Sequence, residues 1–159
     1  GLIQIRINLA KYRGIKKRFD IVQQHDNFIV IDDYAHHPTE VEATIKSVQL
    51  YNKLHNLEQL TIIWQPHKYS RTKDNLEAFK KCFKGCDRLI ILPVWTVAEP
   101  ILDIDFKTEF SEYNLIFIDK LSTINGEIQL IVDDEVIETL DSGTVLGVGA
   151  GDITYQLRY

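Results

Sequence analysis

Two polar clusters follow directly on apolar runs. Ile29-Val30-Ile31 leads into Asp32-Asp33-Tyr34-Ala35-His36-His37-Pro38-Thr39-Glu40, and Thr61-Ile62-Ile63-Trp64 leads into Gln65-Pro66-His67-Lys68-Tyr69-Ser70-Arg71-Thr72. The second cluster is cationic. Lys68 and Arg71 are three residues apart and share a face if a helix begins early, and a helix start adds partial positive charge. His67, Lys68 and Arg71 thus make a site for a carboxylate or phosphate, with the Arg71 guanidinium able to grip it bidentately. A solvated basic helix start is the plainer alternative. In the first cluster Asp32 and Asp33 are consecutive, so they point opposite ways while the strand persists, and at most one addresses a ligand. Such an acid either accepts bonds from ribose hydroxyls or caps the next helix. His36 and His37 are adjacent, a poor arrangement for one metal ion, and no third ligand is spaced nearby. One histidine on a substrate and the other holding the turn suits them better. Among Lys16-Lys17-Arg18, Arg18 either faces an anion or lies on a solvated edge.

The elements that position these groups are legible from periodicity. After Pro38, which suits a first helical position, Val41, Ile45, Val48 and Tyr51 recur at helical spacing, so a helix is expected from Pro38 to about Leu54. Strands are expected at 61–64, 88–94, 115–118 and 144–148, with a turn at 23–27 between two strands. A second helix is expected with Thr72 as its N-cap and Gly85 as its stop. A loop carrying Glu99 follows, then a short helix over 106–113. The stretch 126–140 reads as a hairpin with Asp133-Asp134 at the bend. Leu2, Ile5, Leu9 and Tyr12 have helical spacing, ended by Gly14. Gly149-Ala150-Gly151-Asp152 is too short for a dinucleotide fingerprint and reads as close backbone packing; no P-loop occurs in the chain.

Strands alternating with helices define an α/β fold: a Rossmann-like, mostly parallel sheet with helices on both faces and one hairpin or antiparallel edge element. Right-handed crossovers set all parallel strand ends on one rim, where the unusual polar residues fall. The 159 residues suffice for one core. A formal charge of −5 gives no sign of general nucleic-acid or membrane binding, and no apolar run is long enough to span a bilayer. Cys82 and Cys86 read as plain thiols in a reducing compartment.

Taken in order, Asp32 to Glu40, Gln65 to Thr72 and Gly149-Ala150-Gly151-Asp152-Ile153 resemble the C-terminal domain of the Mur ligase family. Gly14-Ile15-Lys16-Lys17-Arg18-Phe19-Asp20 resembles the entry to that domain, and residues 1–13 resemble the tail of the central ATPase domain, leaving 14–159 as the C-terminal domain. The resemblance implies a cytoplasmic bacterial enzyme of peptidoglycan precursor synthesis, and so of cell-wall biogenesis, cell shape and division. It implies an ATP-dependent ligase that joins L-alanine to UDP-N-acetylmuramate, using ATP and Mg2+ held mainly by the central domain. By position, Tyr34, His36, His67, Lys68 and Arg71 match the L-alanine pocket, and Arg18 and Asp33 match nucleotide contacts. No catalytic or metal-binding residue is implied within this stretch, so alone it is expected to be inactive toward ATP. Three features depart from the family pattern. Lys68 stands where arginine is usual, the loop before Glu99 lacks its usual glycine, and 126–140 replaces a more helical region. A murein tripeptide ligase shares the first turn but not Gln65 to Arg71. A stand-alone nucleotide or anion-binding module, or a hydrolase holding metal on His36, His37 and His67, are the readings from other classes.

Overall fold

The computed structural model describes residues 18–158. The expected helical segment before Gly14, and Lys16 and Lys17, lie outside the described residues. The elements are β1 (Asp20–His25), β2 (Phe28–Asp33), α1 (Pro38–Leu54), β3 (Leu60–Trp64), α2 (Tyr69–Asp74), α3 (Leu76–Cys82), β4 (Arg88–Ile91), α4 (Phe106–Glu109), β5 (Leu115–Phe117), β6 (Lys120–Ile124), β7 (Glu127–Val132), β8 (Glu135–Leu140), β9 (Gly143–Val148) and α5 (Ile153–Gln156). Six strands form one sheet in the order β1-β2-β9-β3-β4-β5. Only β1 runs antiparallel, against β2; the pairs β2–β9, β9–β3, β3–β4 and β4–β5 are parallel.

Continuous apolar runs suit strands buried on both faces. Ile29, Ile31, Ile62, Trp64, Leu89, Ile91, Leu146 and Val148 point to one face, where they meet Val41, Ile45 and Val48 of α1 and Phe79 of α3. Trp64 anchors this layer, its ring 4.9 Å from those of Phe79 and Phe83 and 5.3 Å from Phe110. Phe28, Val30, Ile63, Ile90 and Val145 point to the other face. There the covering is α5 together with a separate three-stranded antiparallel sheet, β6-β7-β8. The antiparallel element expected at 126–140 is thus a whole sheet whose Ile128, Leu130 and Leu140 complete the second core layer. Asn125 (φ 53°) and Gly126 (φ 79°) turn β6 into β7, and Asp133 (φ 49°) and Asp134 (φ 61°) turn β7 into β8, the left-handed pairs that two-residue hairpins need.

Helix α1 has the expected bounds. The second helix does not. It starts at Tyr69 rather than after Thr72, and it breaks at Asn75 into α2 and α3. Thr72 is fully buried inside α2, its hydroxyl donating to the Lys68 carbonyl at 2.8 Å, so it cannot be the N-cap. That position falls to Lys68, with φ 68° and no side-chain cap. The short helix expected over 106–113 shrinks to 106–109, capped by Asp105, whose carboxylate accepts from the Thr108 amide at 3.1 Å.

Candidate functional site

The sheet's carboxyl-terminal rim gathers four segments. β2 delivers Asp33 to His37, β9 delivers Gly149 to Asp152, β3 delivers Gln65 to Arg71, and β4 delivers the loop with Trp95 and Glu99. The central strand, β9, sits between β2 and β3, so the glycine turn lies between the two polar clusters.

Four of the five amino-acid-pocket candidates form one row. The Tyr34 and His36 rings meet edge-to-face with centroids 5.1 Å apart, and the His36 and His67 rings lie 5.8 Å apart. Arg71 Nη1 then sits 2.7 Å from His67 Nδ1. All four are part-buried, as a rim lining should be. Lys68, the fifth, is exposed and its N–H donates to the Trp95 carbonyl at 2.8 Å. Its ammonium can therefore act as a mobile point charge rather than a fixed fork.

One sequence expectation needs correction. The amides at the start of α2 were expected to help hold an anion. The Glu99 carboxylate already accepts from Tyr69 N (2.9 Å) and Ser70 N (2.8 Å), and also from the Thr96 hydroxyl (2.9 Å). These bonds, the Ser70 ones foremost, stabilise the carboxylate and hold its pKa down to about 2. The cationic character of the rim therefore rests on two side chains, Arg71 and Lys68, with His67 accepting from Arg71.

Asp33 is buried, one carboxylate oxygen accepting from Ala35 N (2.8 Å) and the other from Phe19 N (2.9 Å). Burial pushes its carboxyl up from the ordinary range, against the pull of those two backbone donors. It folds the turn back on itself and ties it to the residue after Arg18. Arg18 Nη2 pairs with Glu40 Oε2 at 2.6 Å, while Glu40 Oε1 accepts from His37 N at 3.2 Å and lies 3.8 Å from His36 Nδ1. His37 is itself the N-cap of α1, accepting from Thr39 N at 3.4 Å. His37 thus holds the start of α1, and His36 lies in the row between Tyr34 and His67.

Asp32 points the other way, as consecutive strand residues must. Its Oδ2 receives Thr154 Oγ1 at 2.6 Å and Arg158 Nη1 at 2.5 Å, and Arg158 Nη2 also reaches Asp20 at 2.5 Å. This clasp floors a cleft of about 470 Å³ bordered by Tyr34, Trp95 and the glycine turn. The turn is packed as expected: a Cβ on Gly151 would lie 2.5 Å from both Gln65 Oε1 and Trp95 Cγ. Gln65 is buried and bridges the two segments, donating to Asp152 at 2.6 Å and accepting from Ile153 N at 3.1 Å. Sequence reading set Gln65 and Glu99 on this rim without giving either a role, and it missed Trp95 as a shaper of the site. The only signal for Glu99 was an acid in a Pro-containing loop after a strand.

The chain is thus an α/β domain whose mostly parallel sheet carries a cationic carboxyl-terminal rim. Residues 17–131 match the family model described as Mur ligase, glutamate ligase domain, and the chain belongs to the Mur ligase family. It is 57% identical over 160 residues to a protein named UDP-N-acetylmuramate–L-alanine ligase from Helicobacter pylori (strain HPAG1), covering 99% of this chain and 35% of that protein. A protein of the same name from Campylobacter curvus (strain 525.92) is 51% identical over 157 residues, with 99% and 36% covered. The chain therefore spans about a third of the length of these relatives. Among solved structures, a murein peptide ligase from Psychrobacter arcticus 273-4 superposes with a TM-score of 0.56 at 16% identity, covering 96% of this chain and 32% of that one. A domain of a candidate ligase from Haemophilus ducreyi does so with the same TM-score and identity, covering 89% and 97%. At that identity the likeness concerns the fold.

Proposed function

We propose that residues 14–159 are the C-terminal, amino-acid-binding domain of an ATP-dependent ligase that joins L-alanine to UDP-N-acetylmuramate, with 1–13 the tail of the central ATPase domain. The row Tyr34–His36–His67–Arg71 carries this reading, because it sets a guanidinium and two imidazoles side by side where a small zwitterion can seat its carboxylate. The names of the H. pylori and C. curvus relatives, at more than half identity over nearly the whole chain, support the same substrates. A bacterial, cytoplasmic setting in peptidoglycan precursor synthesis follows from that reading; no described helix is long and apolar enough to cross a membrane.

ATP with Mg2+, held mainly by the parts of the longer enzyme beyond this stretch, would supply activation of the muramate carboxylate as an acyl phosphate. Arg71 would hold the alanine carboxylate with charge-assisted bonds, Lys68 would add neutralising charge, and Tyr34, His36 and His67 would shape the wall beside it. Holding the carboxylate leaves the amine free to be aimed at the carbonyl, and such orientation accounts for up to roughly 7–11 kcal/mol of barrier in favourable cases. Arg18 fits the nucleotide end: its guanidinium is half exposed and exchangeable from Glu40. Asp33 fits the same end as a support, since its oxygens fix the backbone beside Arg18. The isolated domain should turn over ATP weakly or not at all.

Turnover by the full-length enzyme with ATP and UDP-N-acetylmuramate, given either free L-alanine or a murein tripeptide, tests the proposal. Alanine should support ADP formation and the tripeptide should not. Preference for the tripeptide, or robust ATP turnover by residues 14–159 alone, would sink it.

A further inference from the structure

We propose that Glu99 is a positioning residue for the amino-acid pocket: its carboxylate, reaching from the loop after β4, fixes the turn that carries His67 and Arg71. This rests on the function proposed above. The turn has few means of holding itself. Pro66 has no N–H to give, Lys68 sits at φ 68°, a region that non-glycine residues occupy only when their surroundings impose it, and α2 is six residues long with no side-chain cap of its own. Its shape is imposed from the 95–99 loop. Trp95 N donates to the Pro66 carbonyl at 2.7 Å, and Lys68 N donates to the Trp95 carbonyl at 2.8 Å. Glu99 closes this strap by taking Tyr69 N and Thr96 Oγ1 on one oxygen and Ser70 N on the other. His67 and Arg71 flank the segment so held, four residues apart and hydrogen-bonded to each other. A negative charge on the first amides of α2 also denies them to an incoming carboxylate, which must then dock on the Arg71 side chain.

Glu99→Gln is nearly isosteric, but its amide NH2 faces a backbone N–H where an acceptor is needed, so one of the two helix-start bonds is lost. Glu99→Asp keeps both acceptors on a stem shorter by one CH2. In the full-length enzyme, Glu99→Gln should raise the KM for alanine about tenfold, a loss of orientation of the size expected for a displaced binding group. The KM values for ATP and UDP-N-acetylmuramate should stay within about twofold, and Glu99→Asp should recover part of the loss. Amide hydrogen exchange on the same full-length proteins, read by mass spectrometry, should speed up over 66–72 and nowhere else in the domain. An unchanged alanine KM, equal losses for all three substrates, or exchange accelerated across the whole domain would overturn the proposal. If the unmodified enzyme does not use alanine, the function proposed above fails. Hydrogen exchange then still decides for Glu99: faster exchange confined to 66–72 in Glu99→Gln supports the positioning role, and unchanged exchange there overturns it.

Discussion

Arg71 Nη1 lies 2.7 Å from His67 Nδ1, and the direction of that hydrogen bond is fixed by chemistry. A guanidinium only donates, so Nδ1 must be the accepting nitrogen, and the proton of the neutral ring must sit on Nε2. The expected outcome is an Nε2–H tautomer for His67, read from imidazole 15N shifts. In Arg71→Ala the tautomer should become mixed. An Nδ1–H ring in the unmodified protein would show the pair to be arranged otherwise.

Glu99 carries a pH signature. Its carboxyl is depressed from an ordinary 4.5 to about 2, through the hydroxyl and amide of Ser70 and then Thr96 and the Tyr69 amide. A depressed folded-state pKa stabilises at pH above the ordinary value, and the contribution fades as pH falls toward the folded value. Protection of 66–72 in the unmodified protein should therefore exceed that in Glu99→Gln near neutrality, and the two should converge as pH falls from about 4.5 to about 2. Hydrogen exchange at stepped pH, corrected for intrinsic rates, reads this; a gap independent of pH would contradict it.

Helix α1 begins with a capping box made by His37 and Glu40, and Glu40 also pairs with Arg18 at 2.6 Å. Removing the side chain in Glu40→Ala should lower stability by about 1 kcal/mol, the usual value of a cap. Glu40→Gln keeps an acceptor for the His37 amide and should recover most of that loss, because the Arg18 pair is solvated and worth little. Urea titrations of the three proteins measure it. Equal losses in both variants would mean that the ion pair, not the cap, dominates.

The bounds of α1 and the positions of β2, β3 and β9 were legible because local signals agree there: apolar runs, Pro38, and a 3.6-residue period. So was the convergence of Tyr34, His36, His67 and Arg71, since parallel strands bring their carboxyl ends together. The start of α2 was not. Local sequence offered Thr72 as a cap, but the acceptor that starts the helix is Glu99, about 30 residues on in the chain. The partner of Asp32 was hidden for the same reason, Arg158 being 126 residues away. Nor does periodicity reveal that β9 inserts between β2 and β3, or that β6-β7-β8 forms a sheet of its own; both follow from long-range pairing.

Gly151 is a steric requirement of the cleft. A methyl group there would lie 2.5 Å from the Trp95 ring and the Gln65 oxygen, so Gly151→Ala must displace one of them. Overpacking of this kind costs about 1–3 kcal/mol. Trp95 is the exposed indole and Trp64 the buried one, so the variant should shift the red, solvent-exposed part of the fluorescence and leave the blue part unchanged. An unaltered spectrum and stability would show that the turn has room to spare.

Arg71→Ala in the full-length enzyme tests the amino-acid pocket most directly. With ATP and UDP-N-acetylmuramate saturating, the KM for L-alanine should rise on the order of a hundredfold, as when a charged group loses its charge-assisted partner, while the KM values for the other two substrates hold. An alanine KM unchanged by the substitution would contradict the assignment of this rim as the place where the amino acid binds.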